Sequence, residues 1–125
     1  MAETLFRPRC PSDQLRTLKM VAPADAPAGA LVRFDSGMVG CTVNTAVTGE
    51  DLVICYRASK IILYKATAVT GSAMDVGDPV YEDSTGKATG EAATGNVQIG
   101  ICLEAASDAA SEVLVDFDGL RPTLT

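Results

Sequence analysis

From residue 30 to residue 117, short apolar and β-branched runs return every 8 to 15 residues, each closed by Gly, Pro, Asn, Asp, Ser or Thr. No window between those breaks is long enough for a credible amphipathic helix, so the rhythm predicts strands joined by tight turns. Residues 30–34 and 38–43 flank Asp35, Ser36 and Gly37 and read as a hairpin. Residues 48–51 form a second turn, and 52–57 (LVICYR) are so continuously apolar that both faces of that strand should be covered. Ala58, Ser59 and Lys60 separate it from a further strand at 61–69.

The second half repeats the rhythm. Residues 79–83 and 88–91 read as strands around a loop of Ser84, Thr85, Gly86 and Lys87. A strand at 97–105 follows, then a small-residue loop at 107–111. In the last strand, 112–117, Val113 and Val115 share one face while Leu114 and Asp116 share the other. The expected fold is all-β, a small β-sandwich or barrel with jelly-roll-like forms included, carrying an extended N-terminal arm. Three Phe, three Tyr and no Trp mean that the core is built from Val, Ile, Leu and Ala.

The arm is residues 1–20, the β-rich domain 21–119 and a short tail 120–125. Pro8 and Pro11 break the arm, and Ser12 or Asp13 can cap at most one helical turn. Its charge differs from the rest: Arg7, Arg9, Arg16 and Lys19 oppose Glu3 and Asp13, whereas residues 75–118 carry ten acids against the single base Lys87. With a net charge of −6, the chain lacks the clustered cations that phosphate neutralisation demands, and nucleic acid is not an expected partner. No apolar run is long enough to span a bilayer and no secretory leader precedes one, so synthesis in a reducing cytoplasm is expected. Cys10, Cys41, Cys55 and Cys102 are widely spaced, with no CxxC pair, and read as free buried thiols.

Chemistry has little to work with. The chain has no histidine, which removes Ser-His-Asp and Cys-His arrangements. Residues 90–95 (GEAATG) place two glycines at phosphate-loop spacing, but Asn96 and Val97 stand where Lys and Ser or Thr are needed. Asp75, Asp78, Glu82 and Asp83 match no calcium-loop spacing and read as turn carboxylates that keep sheet edges soluble. No enzyme, cofactor or metal site is expected.

Segments 77–89 (GDPVYEDSTGKAT), 93–106 (ATGNVQIGICLEAA) and 112–117 (EVLVDF), preceded by 27–43 and 49–67, occur in an order that resembles the capsid cement, or decoration, proteins of tailed bacteriophages. The resemblance covers about residues 20–118. It implies a structural virion protein, made in the bacterial host, that binds the outer surface of an assembled capsid and bridges major capsid protein subunits. Partners so implied are the major capsid protein and the chain itself, as a homotrimer first and a homodimer second. The arm lies largely outside the resemblance; its own apolar and basic residues make Leu5, Phe6, Arg7, Arg9 and Arg16 the expected capsid contacts, and tyrosine's suitability for interfaces makes Tyr64 and Tyr81 the expected oligomer contacts. A head-fibre or tail appendage domain that binds a host-surface ligand is the alternative, disfavoured by the shortage of aromatic residues.

Overall fold

The computed structural model describes residues 5–34, 36–67, 69–83, 85–119 and 123–124. Among them are β1 (Arg7–Pro8), β2 (Leu15–Val21), β3 (Leu31–Arg33), β4 (Val39–Thr42), β5 (Asp51–Tyr64), β6 (Pro79–Glu82), β7 (Ala88–Thr89), β8 (Val97–Cys102), β9 (Glu112–Asp118) and β10 (Thr123–Leu124), with one 3-10 turn at Ser12–Gln14 and no α-helix. Of the residues assigned to turns, Asp35 and Ser84 lie outside the described set, as do 120–122 and 125 of the tail.

The strands follow the order β3-β4-β5-β9-β8-β6-β7, with every ladder antiparallel. The sheet curls until its ends almost meet: the Leu31 N–H donates to the Gly86 carbonyl at 3.2 Å, and Lys65 bridges Ala88. This is a nearly closed barrel, so the all-β expectation holds. Inside it Leu31, Val39, Cys41, Ile61, Leu63, Val80, Ile99, Val113, Val115 and Phe117 form the main core. Each such aliphatic side chain contributes about 1.5–3 kcal/mol when fully buried, which offsets the lack of aromatic anchors.

One expectation needs correcting. Residues 52–57 and 61–69 are not separate strands; β5 runs unbroken for 14 residues and ends at Tyr64. Ala58, Ser59 and Lys60 mark a register shift against β9 between Ala58 and Ile61, a bulge that bends the strand without ending it. The apolar run at 52–57 does have both faces covered. Cys55 joins the main core, while Leu52 and Ile54 face a satellite cluster with Ala22 and Ala46, against which Met20, Phe34 and Met38 pack from the outside.

The long strand also reveals an internal duplication. Strands β2, β3, β4 and the first half of β5 pair with one another as do the second half of β5, β6, β8 and β9. The loops correspond bond for bond: Ala26 exchanges two backbone hydrogen bonds with Ala46, and Met74 does so with Ala106. Gly29 and Gly77 both have positive φ, and their N–H groups donate to Thr42 and Cys102. A turn of that hand favours glycine at both places. The register pairs Val32 with Gly40 in one unit and Val80 with Gly100 in the other. β5 is thus the last strand of the first unit and the first strand of the second.

All four cysteines are free, and Cys41 sits directly opposite Cys55 across β4 and β5. Burial pushes the Cys41 and Cys55 thiols up from their ordinary range. Thiols held protonated in this way are poor nucleophiles.

Candidate functional site

The arm is where sequence and surroundings diverge most, and its backbone is tied down. β1 pairs Arg7 with Ile62 and Pro8 with Ile61, and β2 pairs Leu15 through Val21 along Ala58 to Asp51. Both lie on the edge of β5 opposite β4 and β9, because Arg57 and Ala58 pair with β2 and β9 at once. In residues 17–21 Leu18 and Met20 oppose Ile54 and Leu52, while Thr17, Lys19 and Val21 look outward. That alternation is a strand signature present in the sequence.

The expected capsid contacts divide into two groups. Phe6 packs against the main core. Arg7 stacks over the Tyr64 ring at 4.7 Å and pairs with Glu112, although its Nε and Nη2 atoms are buried without an acceptor among the described residues. The Leu5 N–H donates to the Tyr64 hydroxyl at 2.9 Å. These contacts anchor the arm to its own barrel. By contrast Leu5, Arg9 and Arg16 keep exposed side chains. Among the described residues the Arg16 guanidinium donates to the backbone carbonyls of Asp13 and Leu15.

Two further cations join them. The Arg9 N–H donates to the Lys60 carbonyl at 2.8 Å, and Arg16 lies across the ladder from Arg57. Like charges directly opposite are unfavourable, and Arg57 turns away to Asp116 at 2.5 Å and to the Phe117 carbonyl at 2.7 Å. Among the described residues no carboxylate lies within 4.0 Å of the Arg9, Arg16 or Lys60 side chain nitrogens. Lys19 meets Asp51 at 3.2 Å, but both are so exposed that the pair contributes at most about 1 kcal/mol. The outer edge of β5 therefore presents Arg9, Arg16, Lys19 and Lys60 on an otherwise acidic molecule. Beside it a cavity of about 540 Å³ is lined by Arg9, Lys60, Glu104 and Glu112 together with Ile62 and Leu114.

Lys60 escaped sequence reasoning because it is brought to the arm by the β1 and β5 pairing, whose partners are distant in the chain. The expected oligomer contacts fare differently from the basic edge. Tyr81 is only 8% exposed, a ring of the barrel wall with little surface left for a partner, and Tyr64 is half-buried beneath Arg7. Among the described residues no group of three or more Cys, Asp or Glu side chains is placed to hold a metal, and no helix is long and apolar enough to cross a membrane.

A nearly closed, internally doubled barrel with one basic edge can be set against known families. The family model described as phage cement protein matches residues 12–117. The chain belongs to the phage cement protein family. Cement proteins are structural components of the phage capsid, and that coarse role now holds for this chain. The match starts at the 3-10 turn, so β2 falls inside the family region, earlier than the start near residue 20 inferred from the sequence segments. No curated protein matches the chain.

Proposed function

We propose that the chain binds the outer surface of the assembled capsid and bridges neighbouring major capsid subunits, with the edge bearing Leu5, Arg9, Arg16, Lys19 and Lys60 turned toward the shell. The observation that carries this is the clustering of cations: Arg9, Arg16 and Lys60, with no carboxylate within 4.0 Å among the described residues, gather with Lys19 on one strand edge of a chain whose residues 75–118 hold ten acids against one base. An acidic outer body keeps the free protein and the decorated particle from associating with their own kind. Contacts to two subunits at once raise the effective concentration of each, and binding only the assembled form shifts the equilibrium away from disassembly. Phe6 and Arg7 serve by fixing the arm, and Tyr64 and Tyr81 serve the protomer. A closed oligomer matched to capsid symmetry, a trimer at three-fold positions before a dimer at two-fold positions, suits this role.

Deleting residues 1–20 would uncover the whole outer edge of β5, so charge reversal is the cleaner test. Arg9→Glu, Arg16→Glu and Lys60→Glu together should keep the melting temperature, since all three are exposed. Binding to undecorated shells should weaken by about tenfold or more, with wild-type binding itself falling as salt rises. Wild-type occupancy by the triple variant would contradict the proposal.

A further inference from the structure

The duplication exposes an asymmetry. In the second unit the first strand is the latter half of β5, and its outer edge is covered at Ile61 and Ile62 by the antiparallel β1. The corresponding strand of the first unit is β2, whose pairing with Ile54 and Leu52 matches that of Ile61 and Leu63 with Val115 and Val113. β2 pairs with β5 alone among the described residues, so its outer edge lacks the strand that its counterpart has. The Ala22 N–H donates to the Glu50 carbonyl at 2.8 Å, and bonded residues alternate along an antiparallel ladder. The N–H and C=O groups of Thr17, Lys19 and Val21 therefore point away from β5.

We infer that this edge takes an added strand, an extended acidic segment of the major capsid subunit with apolar residues at alternate positions, laid antiparallel to Thr17, Lys19 and Val21. The inference rests on the capsid role proposed above. Main-chain bonds to an open edge supply affinity, and alternate side chains supply selectivity. Such a strand would cover the half-exposed side of the satellite cluster, where Leu18 is 37% exposed and Met20, Phe34 and Met38 are only partly buried. Charge selects the occupant. β2 carries Arg16 and Lys19 and no acid. Antiparallel pairing of two copies would bring those cations together, a repulsion that protects the edge from self-association, whereas an acidic segment meets opposite charge.

Hydrogen exchange of the full-length protein, free and bound to assembled undecorated shells, tests this. The Thr17, Lys19 and Val21 amides should slow at least about tenfold on binding. Val21→Pro, which removes one outward N–H and leaves the bonds to β5 intact, should lower shell affinity about tenfold with an unchanged melting temperature. Binding with those amides still exchanging at the free rate would overturn the added strand while leaving the capsid role standing. Failure to bind shells would overturn both. Protection already present in the free protein at high concentration would give the edge to a second copy and overturn the proposed occupant.

Discussion

Replacing Gly100 with alanine is expected to destabilise the barrel by roughly 3 kcal/mol, a fall of roughly 10 °C in melting temperature. A Cβ at that position would lie 2.1 Å from the Asp116 carbonyl oxygen, in the strand that pairs with β8. The obstacle is backbone, so relief requires β8 and β9 to separate. Its counterpart in the other unit makes the comparison informative. A Cβ on Gly40 would meet chiefly the Ile54 side chain, at 2.9 Å from Cδ1, which rotates at lower cost. Gly40→Ala should cost about 1 kcal/mol, with Ile54→Val recovering part of it. Thermal unfolding of both variants checks the ordering, and equal losses would mean that the two units are not packed as described.

The second large effect lies at the seam where the barrel closes. Glu82 is a buried carboxylate on β6, only 2% exposed at its side chain, and it pairs with Nε of Arg33 on β3. Arg33 also donates through Nη2 to the Glu82 carbonyl at 3.0 Å, and the Gly86 N–H donates to Glu82 Oε2 at 3.0 Å. Removing Arg33 leaves a buried carboxylate with, among the described residues, the Gly86 N–H as its donor. Because the Arg33 side chain is 31% exposed, the usual penalty for a broken buried pair is discounted, and Arg33→Ala should cost about 2–3 kcal/mol. Arg33→Met with Glu82→Leu removes both charges and should return to within about 1 kcal/mol of wild type. Urea unfolding of the two singles and the double gives the coupling directly, and additive losses would show that the pair does not bind the two units together.

The turn-and-strand rhythm carried most of the fold because its signals are local. Positive-φ glycines such as Gly77 and the alternation of Val113, Val115 and Phe117 act within a few residues of themselves. What remained hidden depends on distant partners. Ala58, Ser59 and Lys60 interrupt an apolar run as a loop would, and only pairing with β9 turns the interruption into a bulge. The barrel wall claims Tyr81 for the same reason. Legibility at the candidate site was partial: the cations of the arm stand out by composition, whereas the pairing that adds Lys60 to them and ties Phe6 and Arg7 to the barrel is tertiary. The duplication is concealed because the units keep turn glycines and small residues, such as Gly29 with Gly77 and Ala46 with Ala106, while strand residues differ.

The most direct test of the capsid role is the amount and place of this chain in the particle. Quantitative mass spectrometry of gradient-purified virions, with electron cryo-microscopy to locate the barrel, should find it on the outer shell. The copy number should be of the same order as the major capsid subunit. Absence from purified particles, or a handful of copies confined to a vertex or the tail, would contradict the account.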